Sequence, residues 1–223
     1  MQIKGVVFDL DGTLVALKLK IMEAKSDFIE KLKQMGINDD RLDPSTPGEE
    51  LMKILTKDHK LDRKTLLKLL EDSFRPYELE AAAEAEPRLG VKNALLRLKR
   101  LGYKLAVASN NGKLGVRLAL EKAGIAECFD AVVVRGDVDK LKPDGSPIIE
   151  AVRRLGMKPR EVVYVGDSVT DIIAARRAGT RVIAILGGAD SKEALMRNNP
   201  DYLIKDFDEL IDAVKALERS FLD

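Results

Sequence analysis

The stretch VVFDLDGTLV, residues 6–15, is the most informative segment of this chain. It begins with three apolar residues in a row, a pattern typical of a parallel strand that is buried on both faces. Two carboxylates, Asp9 and Asp11, follow the strand directly, and Gly12 suits a turn at that point. An Asp-x-Asp-Gly segment taken alone is most often only a turn, so its interpretation depends on the rest of the chain.

From residue 88 onward, strand patterns and helix patterns alternate. Short apolar runs typical of strands cover residues 104–108, 131–134, 162–165 and 182–185, and helical patterns separate and follow them. Strands joined by helices of this length imply right-handed crossovers. We therefore predict a doubly wound, Rossmann-like α/β core, in which helices cover both faces of an open parallel sheet.

Residues 16–85 show helical patterns and no convincing strand. The last of these helices is expected to begin near Asp62, and Pro76 is expected to interrupt it because proline lacks a backbone donor. The length of the segment fits a small helical bundle. We predict an all-helical cap domain at residues 16–85, inserted into a core made of residues 1–15 and 86–223.

The composition fits a globular protein and limits its partners. Lys and Arg total 38 against 37 Asp and Glu, a formal net charge of +1, so no general field attracts nucleic acid or an anionic membrane. The single cysteine, Cys128, has no intramolecular partner, and no cysteine–histidine cluster indicates zinc. No apolar run is as long as a membrane-spanning helix, and no charged leader with a cleavage site opens the chain. We expect a cytoplasmic monomer or homodimer.

Polar side chains follow the predicted strands at the points where the strands end. In an open α/β sheet, ligands bind at the carboxyl ends of the strands, so these side chains should meet at one edge. The candidate site residues are Asp9 and Asp11 after the first strand, Ser109 and Asn110 after the second, Lys142 before a helix, and Asp167 and Asp171 after the fourth strand.

That combination of side chains suits phosphoryl transfer. A carboxylate can attack phosphorus, but a phosphate dianion repels it, so a divalent cation, a lysine and hydroxyl or N–H donors are needed to offset the repulsion. Mg²⁺ fits, because it prefers oxygen ligands and usually takes one or two carboxylates. A second carboxylate can protonate the leaving group and later remove a proton from the attacking water.

Four segments carry a family resemblance. VVFDLDGTLV at residues 6–15, VASN at 107–110, the lysine of LKPDGSP at 141–147, and VGDSVTD at 165–171 are similar, in this order, to the four motifs of the haloacid dehalogenase-like hydrolase superfamily. The resemblance covers residues 1–15 and about 88–190. The helical insert falls where the phosphoglycolate phosphatase-like branch of that superfamily carries a cap.

For catalysis, the resemblance implies that Asp9 is the nucleophile and forms an aspartyl-phosphate. Asp11 would be the general acid and base. Ser109 and the backbone N–H of Asn110 would hold phosphoryl oxygens, and Lys142 would bind the substrate and stabilise the negative charge.

For the cofactor, the resemblance implies Mg²⁺ held by the carboxylate of Asp9, the backbone carbonyl of Asp11 and the carboxylate of Asp167. Asp171 would lie in the outer shell, where it would orient Lys142 or a water on the metal.

Each of these residues also has a plainer interpretation. Residues 109–112 could be a polar loop that caps the next helix, and Lys142 could be a solvated surface lysine. Asp171 could be a first-turn acid that is favoured by the helix dipole.

The resemblance implies a Mg²⁺-dependent phosphatase of small phosphate monoesters, with a phosphoglycolate-like compound as the family-level substrate. A small phosphorylated metabolite is thus the expected partner. Two alternatives stay open: a phosphosugar mutase of the same branch, and a non-catalytic protein that binds phosphate or metal. The pair of Asp9 and Asp11 argues against the binding protein, because binding alone needs no nucleophile with an acid beside it.

Overall fold

The computed structural model describes residues 2–46 and 48–219, except for the side chain of residue 49. The strands are β1 (Gly5–Phe8), β2 (Val15–Ala16), β3 (Glu86–Pro87), β4 (Lys104–Ala108), β5 (Ala131–Val133), β6 (Val162–Gly166), β7 (Arg181–Ile185) and β8 (Tyr202–Ile204). The α-helices are α1 (Ile21–Gln34), α2 (Gly48–Lys57), α3 (Arg63–Ala83), α4 (Val91–Arg100), α5 (Lys113–Lys122), α6 (Ser146–Arg154), α7 (Val169–Ala178), α8 (Lys192–Arg197) and α9 (Leu210–Arg219).

Six of these strands form one parallel sheet in the order β5-β4-β1-β6-β7-β8. The chain winds outward from β1 through β4 to β5, then returns to the other side of β1 and continues through β6, β7 and β8. The predicted doubly wound, Rossmann-like α/β fold is confirmed. Because the strand order reverses at β1, the crevice that binds ligands in such folds lies at the carboxyl ends of β1 and its two neighbours.

Both faces of the sheet are buried, as the continuous apolar runs predicted. Successive residues of β1 enter different hydrophobic clusters: Val6 and Phe8 pack on one face, and Val7 packs on the other. The same alternation occurs in β6, where Val163 lies on the first face and Tyr164 on the second. Tyr164 is fully buried, so its hydroxyl requires a polar partner inside the protein.

The helical segment between β2 and β3 has a hydrophobic cluster of its own, to which α1, α2 and α3 all contribute. The strands β2 and β3 pair antiparallel and lie at the two ends of this segment. Among the three helices, α3 packs closely on α5 of the core. The two strands therefore form a short ribbon through which the chain leaves the core and returns to it.

Pro76 does not interrupt the last helix of the insert, so that prediction is wrong. It lies inside α3, which continues to Ala83. Glu71 and Glu78, one on each side of the proline, are two helical turns apart and both bond the guanidinium of Arg135. These tertiary contacts favour a continuous helix over the local preference of proline to end it.

The strand β8, at one edge of the sheet, was not predicted. Its three residues pair with β7, and Tyr202 is exposed. An edge strand this short lacks the continuous apolar pattern that marked the central strands. None of the described helices has the length and apolar character needed to cross a membrane.

Candidate active site

Three of the predicted site residues follow the three central strands. Asp9 comes directly after β1, Ser109 after β4 and Asp167 after β6, and all three are buried. The backbone N–H of Asp9 donates to Val165 of β6 at 2.9 Å, so the nucleophile candidate is still held by the sheet. The reversal of strand order thus brings these side chains to one crevice, as the sequence predicted.

Lys142 reaches this crevice from the loop before α6. Its ammonium bonds Asp9, and it donates to Asp171 Oδ1 at 2.7 Å and to Tyr164 Oη at 2.9 Å. Only 4% of its side chain is exposed, so its interpretation as a solvated surface lysine is wrong. Because the ammonium donates to two carboxylates and a phenol, it is fixed next to Asp9.

Asn110 holds the loop that carries Lys142. Its side-chain oxygen accepts from the backbone N–H of Lys142 at 2.9 Å, and its side-chain N–H donates to the carbonyl of Lys142 at 3.0 Å. Ser109 Oγ accepts from the backbone N–H of Asn111 at 3.1 Å, and a hydroxyl in that position keeps its own hydrogen for another acceptor. Gly112, the N-cap of α5, has no side-chain cap, so residues 109–111 do not act as the helix cap.

Asp9, Asp167 and Asp171 form a buried acidic cluster in which carboxylate oxygens of all three lie within 4.8 Å of one another. Asp167 is fixed by Thr13 Oγ1, which donates to its Oδ1 at 2.6 Å, and by the backbone N–H of Ala189, which donates to Oδ2 at 2.6 Å. Hard carboxylate oxygens grouped at this distance fit a divalent cation such as Mg²⁺. The cluster contains two of the three predicted metal ligands, Asp9 and Asp167.

Asp171 has two structural tasks. Its Oδ2 accepts from the backbone N–H of Ser168 at 3.2 Å and from Ser168 Oγ at 2.7 Å, which forms a capping box at the start of α7. Its Oδ1 accepts from Lys142 and from Tyr164. The helix-terminus interpretation and the Lys142-orienting interpretation of Asp171 therefore describe two oxygens of the same carboxylate.

Asp11 lies two residues beyond Asp9, and its carboxylate is not part of the acidic cluster. Its Oδ1 accepts a 3.3 Å hydrogen bond from the backbone N–H of Leu17. It is less buried than Asp9, which suits a group that exchanges protons with a leaving group or with water.

The carboxyl groups of the nucleophile and acid candidates titrate unusually. Burial raises the pKa of Asp9 well above its usual range, and the positive charge of Lys142 opposes that shift. Burial likewise raises the pKa of Asp11 to about 6, although the hydrogen bond from Leu17 lowers it in part. A carboxyl group with a pKa near 6 can give and take a proton near neutral pH.

The pKa shifts of Asp171, Asp167 and Lys142 show how the charges around Asp9 are balanced. Burial raises the pKa of Asp171, but the charge of Lys142 and the hydrogen bonds from Lys142, Ser168 and Tyr164 together outweigh burial, and the net shift is downward. Burial and the charge of Asp171 raise the pKa of Asp167. Burial lowers the pKa of Lys142, yet Asp171 and Asp9 reverse this and the net shift is upward. One ammonium thus faces three carboxylates, and a divalent cation would relieve the surplus negative charge.

Sequence reasoning missed Tyr164, Thr13 and Ser168 as parts of this site. Tyr164 carried a usable signal, because a hydroxyl inside a fully buried strand needs a partner. Ser168 lies three residues before Asp171, which is the spacing of a capping box. Thr13 carried no signal beyond its place in the first motif, since the contact with Asp167 joins residues 154 positions apart.

A family model described as haloacid dehalogenase-like hydrolase matches residues 6–185. The chain belongs to the haloacid dehalogenase-like hydrolase family. Relatives of this hydrolase align along nearly its whole length. A protein of Caldanaerobacter subterraneus subsp. tengcongensis that is named "Putative pyrophosphatase PpaX" is 31% identical over 218 residues. The alignment covers 98% of this chain and 97% of the relative. The pyrophosphatase PpaX of Bacillus cereus strain AH820 is 29% identical over 223 residues, covering 99% and 100%.

Solved structures resemble this haloacid dehalogenase-like hydrolase over a similar length. A predicted phosphatase from Clostridium acetobutylicum has a TM-score of 0.70 at 26% identity and covers 98% of this chain and 100% of its own. A predicted phosphoglycolate phosphatase from Haemophilus somnus 129PT has a TM-score of 0.66 at 25% identity, with coverage of 95% and 98%. The family, the site and these phosphatase-named relatives identify the chain as an enzyme of the phosphatase type.

Proposed function

We propose that this chain is a Mg²⁺-dependent phosphatase that hydrolyses small phosphate monoesters through an aspartyl-phosphate on Asp9. The observation that carries the proposal is the contact of Lys142 with both Asp9 and Asp171 at the edge of an acidic cluster. A lone carboxylate would be repelled by a phosphate dianion. Here a fixed ammonium lies beside the attacking group, where it offsets that repulsion.

Asp9 is proposed as the nucleophile because it follows the central strand and its carboxylate contacts Lys142. Its attack on phosphorus forms the O–P bond of the aspartyl-phosphate and breaks the bond to the leaving alcohol. Ser109 and the backbone N–H of Asn110 are proposed to donate to phosphoryl oxygens. The side chain of Asn110 keeps Lys142 in place by binding both its backbone N–H and its carbonyl.

Asp11 is proposed as the general acid and base. With a pKa raised to about 6 by burial, its carboxyl group can protonate the leaving oxygen and, once ionised, take a proton from the water that hydrolyses the aspartyl-phosphate. The half-buried position of Asp11 leaves it accessible to both partners.

Asp9, the carbonyl of Asp11, and Asp167 are proposed to hold Mg²⁺. The ion would supply positive charge that stabilises the phosphoryl oxygens during transfer. Thr13 and the backbone N–H of Ala189 fix the Asp167 carboxylate for this role. Asp171 remains with Lys142 and Tyr164, in the outer shell.

Residues 16–85 are proposed to act as a cap domain that closes over the crevice. The support for this is their separate hydrophobic cluster and their attachment through the ribbon of β2 and β3, which starts a few residues after Asp9. Closure would exclude bulk water during attack, and reopening would release the product.

Inorganic pyrophosphate is a second candidate substrate. Two relatives that align over at least 97% of their length carry the name pyrophosphatase PpaX. The chemistry at Asp9 is the same for an ester and for an anhydride, since only the leaving group differs. A phosphosugar mutase remains the alternative within the same mechanism.

The test measures phosphate release from a panel that contains phosphoglycolate, other small phosphate monoesters and pyrophosphate, with Mg²⁺ and with EDTA. Wild type is compared with Asp9→Asn and with Asp212→Asn, a control at an exposed acid of α9. We expect release that needs Mg²⁺, falls by about a thousandfold or more in Asp9→Asn, and is unchanged in Asp212→Asn.

Near wild-type turnover in Asp9→Asn would contradict the mechanism. A preference for pyrophosphate over all esters would replace the monoester proposal by the second candidate. No release from any compound, together with conversion of a sugar phosphate primed by a bisphosphate, would identify a mutase. No turnover in either assay would favour the binding protein.

A further inference from the structure

Arg88 joins two loops that are far apart in sequence. It lies one residue after β3, and its half-buried guanidinium donates from Nη1 to the carbonyl of Gly12 and from Nη2 to the carbonyl of Leu186 at 2.5 Å. Its backbone N–H also donates to Leu14 at 3.0 Å. Gly12 follows β1, and Leu186 follows β7. The planar fork of arginine is suited to binding two acceptors at once.

These two loops both pack against the carboxylate of Asp167. A Cβ atom added to Gly12 would lie 2.3 Å from Asp167 Oδ2, and one added to Gly188 would lie 2.0 Å from the same oxygen. The residue after each glycine donates to the carboxylate: Thr13 through its hydroxyl and Ala189 through its backbone N–H, both at 2.6 Å. The orientation of Asp167 thus depends on the separation of the two loops.

We infer that Arg88 is a positioning residue for the metal site, because its guanidinium ties together the two loops that orient Asp167. The inference rests on the proposed metal-dependent function. Arg88 is not a member of the acidic cluster, and its hydrogen bonds reach Asp167 only through the loops of Gly12 and Leu186. Residues that orient a metal ligand in this way commonly change metal affinity by 10- to 100-fold when they are replaced.

The direction in which Mg²⁺ affinity changes when Arg88 is replaced distinguishes a positioning role from an influence of its charge. A guanidinium near the site repels a divalent cation, so its removal would strengthen Mg²⁺ binding if charge were its main influence. Loss of the two carbonyl contacts would instead free the loops and weaken binding. Arg88→Met removes both the charge and the contacts. Arg88→Lys keeps the charge, but an ammonium lacks the planar fork that spans the two carbonyls.

The experiment measures the dissociation constant of Mg²⁺ by calorimetry for wild type, Arg88→Met and Arg88→Lys. Arg97→Met, at an exposed arginine of α4, is the matched control. The melting temperature of each variant in EDTA reports the stability of the fold separately. We expect the dissociation constant to rise by about tenfold or more in both Arg88 variants and to stay unchanged in Arg97→Met.

An unchanged or lower dissociation constant in Arg88→Met would overturn the inference. If Arg88→Met does not fold, Arg88→Lys decides the question by the same criterion. A variant with a lower melting temperature in EDTA but wild-type affinity for Mg²⁺ would show that Arg88 only stabilises the fold. Absence of Mg²⁺ binding by wild type would instead contradict the proposed function itself.

Discussion

Asp11 provides a prediction at the scale of one residue, because its protonation is linked to folding. Its pKa is about 6 in the folded chain, raised by burial from a usual value of about 3.9. The folded state therefore binds the proton more tightly than the unfolded state. The stabilisation is fully present below about pH 4 and is lost as the pH rises through about 6. A carboxylate at this position is thus a cost to stability at neutral pH.

Replacing Asp11 by Asn removes this cost, since the amide stays neutral and its oxygen can still accept from Leu17. In EDTA, we expect Asp11→Asn to raise the free energy of unfolding by up to about 3 kcal/mol at pH 7.5 and by less than about 1 kcal/mol at pH 4. Urea unfolding at a series of pH values measures this difference. Asp212→Asn, at an exposed acid of α9, is the control, and an equal effect of Asp11→Asn at both pH values would refute the linkage.

The site residues show what a single sequence can predict at this scale. The positions of Asp9 and Asp167 were predictable because the end of a buried strand fixes where the next side chain goes, whereas Lys142, in the loop before α6, was predicted from its motif. Arg88 was not predictable, because nothing near it in the sequence indicates that it spans Gly12 and Leu186, which are 76 and 98 positions away. Contacts of that range follow only from the three-dimensional path of the loops.

At the scale of an element, α3 is the part of the insert that is fixed to the core. Glu78 is buried, accepts from Arg135 Nη1 at 2.7 Å, and accepts from the backbone N–H of Gly112 at 3.0 Å. Arg135 also bonds Glu71 and lies 5.8 Å from the ring of Phe74. One buried arginine of the core therefore binds two turns of α3 at once.

Removal of this arginine should be costly, because it leaves the Glu78 carboxylate buried and unpaired. We expect Arg135→Met to lower the free energy of unfolding by about 3–5 kcal/mol in urea titrations. Arg117→Met is the control, since Arg117 pairs with Glu121 on the exposed surface of α5 and should have a much smaller effect. Similar losses in the two variants would contradict the importance of burial at Arg135.

The helices and strands also show where local sequence patterns are sufficient to predict structure and where they are not. Fully buried strands such as β1 and β6 were predictable from apolar runs alone, because both of their faces pack on helices. The continuity of α3 through Pro76 was not, because it depends on Arg135, which lies on another part of the chain. The edge strand β8 was not predicted because it has little buried surface of its own and therefore no continuous apolar run.

At the scale of the whole molecule, α3 carries the contacts that fix the insert to the core, and α1 and α2 pack against α3 through the cluster they share. The C-terminal half of α3 is held by Arg135 and by its packing on α5, where a Cβ on Gly115 would lie 2.9 Å from Glu78. The helices α1 and α2 share their hydrophobic cluster with the N-terminal part of α3. Closure of the proposed cap should therefore move α1 and α2 toward the crevice while residues 78–83 stay on the core.

Hydrogen exchange can test this division if an aspartyl-phosphate mimic is formed on Asp9 with beryllium trifluoride and Mg²⁺. We expect slower amide exchange in α1, in α2 and in the ribbon of β2 and β3, and no change in residues 78–83, because closure buries the former and leaves the latter in place. Asp9→Asn lacks the carboxylate that holds the mimic and should show no slowing. Unchanged exchange throughout the described insert would argue against a moving cap, and equal slowing in residues 78–83 would show that α3 moves as one body with α1 and α2.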